Sequence, residues 1–422
     1  MGLVDRVEHS LLGGLLPLIQ AEWGVSDTLA GSIPTAAAVA SALLALPAGY
    51  IADRYHRTRI IAVVVILWAV ATLGSGLAVG FAMFYAARVV LAAAEQIDNP
   101  ASSSLLADYY PPVNRPRVYG LVRMTTYLGG LGLILAGILG ELLGWRAVFV
   151  VMAVPGVLTA LLMLRLREPR RGFLDTVVAR GSAEPLDPDA APEEPDGSGG
   201  PGAVPATAAP PFRRQAAEVL RNPTLVILSV SMMLLTAGIA GIYFWLPSLI
   251  TRGFGTGTAT AGSISGASSL VGVILGTLIG SWLGRRVHGR IRSGRVVVGG
   301  IGVAAGSVML GFAVTADALP ELTVLLMLSS TLSSVAIPCI TASVADVVGA
   351  ESRGIGFALL NFLLTAGGAA GPLAVGAVSD ATGSLVAAFW VLIVPMVVAG
   401  AGMIACRWTF ERDAAKVLAA AR

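Results

Sequence analysis

The chain has 422 residues, 55% of them hydrophobic and 13% charged, and its 28 basic and 25 acidic side chains leave a net charge of +3. A soluble domain carries about 25% charged residues, so this composition excludes a soluble globular protein and places the chain in a membrane. Two cysteines (Cys339, Cys406) and three scattered histidines (His9, His56, His288) exclude a disulfide framework and a Cys/His metal centre, the small net charge argues against nucleic acid, and no cofactor is expected.

Twelve apolar stretches approach the length of about 20 residues that a helix needs to cross a bilayer. The first six cover 3–20, 29–52, 60–79, 82–107, 117–140 and 146–165, and the second six cover 224–250, 258–283, 295–314, 320–347, 354–378 and 384–407. None alternates as a barrel strand does, so the expected fold is all-α, with twelve transmembrane helices in two six-helix halves. The halves are expected at 1–172 and 222–412, with a short tail at 413–422. Between them, residues 173–221 are rich in Pro, Gly, Ala and acid and predict a disordered linker. Span one lacks a basic leader and a small-residue cleavage site, so no cleavable signal peptide is expected.

Arginine placement predicts the orientation. With the N-terminus in the cytoplasm, 23 of the 28 basic residues fall in inner loops, linker and tail, while the outer loops hold only Arg146 and Arg252. By the positive-inside rule, both termini of this multi-pass protein face the cytoplasm, and its expected location is the plasma membrane.

Charges inside a span are costly and point to function. Span one carries Asp5, Arg6, Glu8 and His9, span four carries Arg88, Glu95 and Asp98, and span five carries Arg123. The middles of the second six spans hold essentially none, so the first half is expected to hold the titratable chemistry and the second to shape the cavity. Arg88 and Glu95, seven residues apart, share a helix face at about 10 Å, too far for an ion pair. Each needs a partner elsewhere, and Asp5 is the candidate for Arg88. Asp98 repels a charge on Glu95, which suits Glu95 to bind and release a proton. The depth of Asp5 depends on where span one begins.

Other motifs point to gating and packing. The loop after span two reads Gly49-Tyr-Ile-Ala-Asp53-Arg54-Tyr-His56-Arg57-Thr-Arg59. Gly49 permits close approach, Asp53 can cap a helix, and Arg54 and Arg57 can pair across the interface of the halves, forming a latch. The second-half counterpart, Gly280 to Arg286, lacks the aspartate, which predicts an asymmetric gate. Gly272, Gly276, Gly280 and Gly284 form a close-packing stripe, and Gly367, Gly371, Pro372 and Gly376 repeat the theme around a proline. Tyr243 and Trp245 are candidate cavity aromatics, with interfacial anchoring as the alternative.

Twelve spans, a central linker and the Gly49–Arg59 loop resemble the major facilitator superfamily. Val4-Asp5-Arg6 with Gly14-Leu-Leu-Pro17 in span one, and Arg88 with Glu95 and Ala107-Asp108 in span four, are similar to its spinster-like group. Similar spacings occur in the organic-anion symporters of the superfamily. The resemblance implies alternating access by rocking of the halves, roles for Asp5, Arg88 and Glu95 in proton coupling and substrate binding, and lysophospholipid-like substrates. It also implies a span one that begins upstream of the Asp-Arg pair. The chain departs from the group at Ala92-Ala93-Ala94 and at Gln96-Ile97-Asp98-Asn99-Pro100, which bears on the substrate.

The expectation is a monomeric, proton-coupled secondary transporter in contact with membrane lipids, exporting an amphipathic or lipid-like small molecule. An organic-anion symporter or multidrug exporter is the alternative within the superfamily, and a non-transporting receptor or scaffold the alternative outside it. No nucleophile elbow, P-loop or metal-ligand cluster suggests an enzyme.

Overall fold

The computed structural model describes residues 2–111, 114–166, 168–169, 219–348 and 353–420, and the side chains of Gly49, Asp53 and Arg123 are among those outside the description. Of the expected linker, only 219–221 lie within the described residues.

Among these residues the chain is helical nearly throughout. The first half runs α1 (Gly2–Trp23), α2 (Asp27–Arg54), α3 (Arg57–Gly76), α4 (Phe81–Tyr109), α5 (Arg115–Met124), a 3-10 turn (Thr125–Gly129), α6 (Gly130–Leu143) and α7 (Trp145–Leu164). The second runs α8 (Pro223–Phe254), α9 (Thr258–His288), α10 (Gly294–Val314), α11 (Leu319–Ser334), α12 (Ala336–Val347), α13 (Arg353–Thr382), α14 (Leu385–Ala405) and a closing helix, α15 (Arg407–Ala420). The fifth crossing is α5 with α6 and the tenth is α11 with α12, which makes twelve. Nine crossings are long and apolar enough to span a bilayer on that ground alone. The other three are α1 and α4, which carry the charges, and the broken fifth.

Local chemistry sets the helix ends. Ser26 Oγ accepts from Leu29 N at 3.2 Å, Asn222 Oδ1 from Leu225 N at 3.1 Å, and Ser384 Oγ from Ala387 N at 3.2 Å, so each caps the helix that follows it. Four tight turns, α1–α2, α6–α7, α8–α9 and α13–α14, each place a glycine at positive φ: Gly24, Gly144, Gly255 and Gly383. All four lie at the end of the bundle away from the chain termini, here called the distal end. The terminal end carries the arginine-rich connections.

Within the second half, helices meet through glycine. A Cβ at Gly272, Gly276 or Gly280 would collide with Ser330, Thr331 or Val335 of the tenth crossing. At Gly367 or Gly371 it would strike the carbonyls of Met233 and Ala237 on α8. These stripes pack the half against itself.

The two halves meet along α2 with α13, α6 with α9, and α1 with α8. The described hydrogen bonds between them lie toward the distal end, the deepest running from Thr35 Oγ1 to the Ala369 carbonyl at 2.6 Å. Nearer the terminal end no hydrogen bond between α2 and α13 is found among the described residues, and Val39, Leu43 and Tyr50 on α2 and Phe362 on α13 are exposed. The cleft between the halves therefore opens toward the terminal end.

Candidate functional site

The charges of the first half collect between α1 and α4. Arg88 forms a bidentate ion pair with Glu8, both side chains being buried, with Nη2 at 3.3 Å from Oε2. Its guanidinium also lies 5.4 Å from the ring centroid of Phe149. On the distal side the pair is roofed by Trp23, Phe81, Phe84, Trp145 and Phe149, whose rings meet edge to face or tilted. The partner of Arg88 is thus Glu8, and not Asp5 as the sequence suggested. Helices α1 and α4 run antiparallel, so Arg88, early in α4, meets the acid farther along α1. Asp5 lies nearer the terminal end, partly exposed, with Arg6 Nε 3.7 Å away.

Glu95 lies two turns beyond Arg88. Its Oε1 is enclosed by protein and meets no hydrogen-bond donor, and the charged groups facing it are Asp5, Glu8 and Arg88. An enclosed carboxylate oxygen without a donor is costly, and a proton or a cationic ligand supplies what is missing. Asp98 accepts from Ser102 Oγ at 2.8 Å and also faces Asp5. His9 stands among Asp5, Arg6, Glu8 and Arg88. The structure therefore brings Asp5, Arg88, Glu95 and Asp98 together and adds Glu8.

The expected latch is placed differently. Arg57 does not reach the second half. Fully buried at the start of α3, it pairs with Asp108 at the end of α4 and with Glu168 after α7, and donates to Ser104 Oγ at 3.0 Å and to the Pro169 carbonyl at 2.9 Å. The reason is positional, because α3 packs on α4 and α7, away from the other half. Burial alone would push the Glu168 carboxyl up, but hydrogen bonds from Arg57 and Thr58, including Thr58 N at 2.7 Å, overcome it and hold it down at about 2. Arg54 stacks on the Tyr50 ring at 4.9 Å. Gly49 and Asp53 fall outside the described side chains.

The two aromatics part company. Trp245 is fully buried and donates from Nε1 to the Pro372 carbonyl at 2.8 Å, pinning α8 to α13 inside the second half. It is not a cavity residue. Two residues apart on a helix, Tyr243 and Trp245 point about 200° apart and cannot share a wall. The Tyr243 hydroxyl meets Ser330 Oγ at 2.7 Å beside a cavity of about 20 Å³, lined also by Ile239, Val273 and Ser333. That is room for a water and too little for a substrate.

The sequence reading also missed the distal seal. Arg252 of α8 grips Asp27 of α2 with both Nη atoms, at 2.8 and 2.7 Å, and Nη2 reaches Gln20 Oε1 at 2.9 Å. Ser379 of α13 donates to Asp27 Oδ2 at 2.6 Å. Asp27 thus ties α1, α2, α8 and α13 together. Its place one residue after an N-cap serine made it look like an ordinary first-turn acid.

Comparisons with known proteins agree with this architecture. The spinster homolog 1 of Homo sapiens is 24% identical over 257 residues, which span 60% of this chain and 44% of that protein. The cis,cis-muconate transport protein of Acinetobacter baylyi is 29% identical over 168 residues, 40% of this chain and 41% of that protein. The matched stretches therefore span less than half the length of these curated relatives. A bacterial homolog of the human lysosomal transporter Spinster, solved in an inward-facing and unoccupied conformation, superposes with a TM-score of 0.78 at 21% identity, covering 98% of this chain and 97% of that one. The D-xylose-proton symporter superposes at 0.68 and 14% identity, over 95% and 94%. A sequence model for the Major Facilitator Superfamily matches residues 1–316. With twelve crossings in two halves, a cleft between them and that match over most of its length, the chain belongs to the Major Facilitator Superfamily of transporters and resembles its spinster-like members.

Proposed function

We propose that the protein is a proton-coupled carrier that works by alternating access and exports an amphipathic or lipid-like small molecule, of lysophospholipid type, from the cytoplasm. It acts as a monomer in the plasma membrane with both termini in the cytoplasm, so that the terminal end is the inner one and the cleft faces inward. One observation carries the reading: the in-membrane charges gather in one half around a single enclosed carboxyl oxygen, Glu95 Oε1, that has no donor. A proton on Glu95 satisfies it in one state, and Asp5, Glu8, His9, Arg88 and Asp98 are the groups whose rearrangement would release that proton. The exposed apolar face of α2 beside the cleft suits a lipid-like substrate.

An organic-anion symporter is the second reading, favoured by the name of the muconate relative. The charges argue against it. Asp5, Glu8, Glu95 and Asp98 outnumber Arg6 and Arg88, and among the described side chains of this cluster Arg88 is already held by Glu8 and Arg6 lies beside Asp5, so neither arginine is left over for a carboxylate.

The test uses proteoliposomes with an imposed pH gradient and two probes, a fluorescent lysophosphatidylcholine and muconate. The expected result is gradient-driven movement of the lysolipid, lost in Glu95→Gln while gradient-free exchange survives. Gradient-driven transport that persists in that variant sinks the proton role, and movement of muconate alone sinks the substrate class.

A further inference from the structure

The distal seal contains the same device twice. Near the end of the fifth crossing, Gly137-Ile-Leu-Gly-Glu141 lies against the start of α9, and near the end of the eleventh, Gly376-Ala-Val-Ser-Asp380 lies against the start of α2. In each, the glycine is pressed on the carbonyl of the first helical residue opposite: Gly137 on that of Thr258, Gly376 on that of Asp27, and a Cβ would collide in both. Four residues on, one turn toward the distal end, the acid reaches past that residue to the unpaired N–H groups of the helix start. Asp380 accepts from Asp27 N at 3.0 Å and from Thr28 N at 2.8 Å. Glu141 accepts from Ala259 N at 2.8 Å.

Neither helix can do this for itself. The N-cap of α9 is Gly257, which has no side chain to offer, and Ser26 before α2 is committed to Leu29 N. Each half therefore completes a helix of the other half, and exchanging crossings two and five with eight and eleven maps one contact onto its mate.

We infer that Gly137–Glu141 and Gly376–Asp380 are reciprocal caps, and that Glu141 and Asp380 are the positioning residues that set the balance between the closed and open distal end. A carboxylate on a helix N-terminus gains from both the hydrogen bond and the helix dipole. When the halves part, both gains are lost to water together. This inference rests on the alternating-access reading above.

The experiment labels the full chain in lipid nanodiscs. Nitroxides go on Val79→Cys and Ala318→Cys, exposed positions in distal turns, one in each half, while the native Cys339 and Cys406 are buried and stay unlabelled. Pulsed dipolar spectroscopy then reads the ratio of long to short distances. Wild type is expected to show mainly the short one. Glu141→Ala and Asp380→Ala are each expected to raise the ratio about fivefold, the effect of losing one helix cap, and together about 25-fold, because the two sites share no partner. Glu141→Gln and Asp380→Asn keep an acceptor oxygen and lose the charge, and are expected to move the ratio less, in the same direction, which guards against an alanine variant that fails to fold. Two distances whose ratio ignores all four variants overturn the caps and leave alternating access standing. A single distance in wild type and every variant overturns both.

Discussion

The buried pair of Glu8 and Arg88 allows a sharp test of the site. Glu8→Ala removes the only ion-pair partner described for a guanidinium that is 6% exposed. Breaking a buried pair by removing one member costs about 3–5 kcal/mol, because the remaining charge is left uncompensated. The face of Phe149, 5.4 Å away, returns up to about 2 kcal/mol of that as a cation–π contact, though part of it is already present in the wild type. The expected loss is therefore near the lower bound, about 3 kcal/mol. The double variant Glu8→Leu/Arg88→Met replaces the pair with apolar groups of similar length and is expected within about 1 kcal/mol of wild type, which makes it more stable than Glu8→Ala by about 2 kcal/mol or more. Asp5→Ala is the control. Its partner Arg6 is 43% exposed and 3.7 Å away, and such pairs are worth about 0–1 kcal/mol. The assay is reversible unfolding in mixed micelles, followed by tryptophan fluorescence. A Glu8→Ala cost below about 1 kcal/mol, or one no larger than that of Asp5→Ala, would refute the assignment of Glu8 as the partner and the dryness of the site with it.

Two further outcomes are expected. Glu168, held at about 2 against an ordinary value of 4.5, contributes stability that is present above pH 4.5 and lost as the pH falls toward 2; the melting temperature should drop over that window, and Glu168→Gln should flatten the drop, whereas an unchanged slope contradicts the clamp. On α9, Gly266 faces the Gly130 carbonyl of the first half and Gly276 faces the Thr331 carbonyl of its own half. Gly266→Ala should push the Val79/Ala318 label pair toward the long distance and Gly276→Ala should lower stability without moving the ratio, and equal shifts in both would remove the distinction.

Nine of the crossings were legible as long apolar runs, and the charges that interrupt spans one and four stood out because the rest of the membrane region has so few. Breaks within crossings were less visible. Pro338 lacks the N–H that would bond the Ser334 carbonyl, and the tenth crossing breaks at that point, whereas the 3-10 turn at Thr125–Gly129 in the fifth crossing has no such marker. Partner choice was the least legible. Whether Arg88 meets Asp5 or Glu8 depends on the relative height of two antiparallel helices, which no local pattern encodes. Glu141 and Asp380 carried no signal, because their partners are backbone N–H groups that leave no trace in the sequence. Gly257, an N-cap without a side chain, was the available signal.

The repeat itself separates scaffold from machinery. Arg57 at the start of the third crossing pairs with Asp108 at the end of the fourth, and Arg295 at the start of the ninth pairs with Asp346 at the end of the tenth, both across 51 residues. Glu168, after the sixth crossing, binds the first residues of α3, and Glu411, after the twelfth, accepts from Ser293, the N-cap of α10, at 3.0 Å. The distal caps are duplicated in the same way. A charge that holds a six-helix half together answers a need that both halves share, so it recurs. Glu8, Arg88, Glu95 and Asp98 have no charged counterparts in the middles of the second-half crossings. The second half folds to the same architecture without them, so the architecture does not require them. Charges buried in a membrane at a cost of several kcal/mol each, in one half only, support the binding and proton-coupling role proposed for them over a role in how the protein is built.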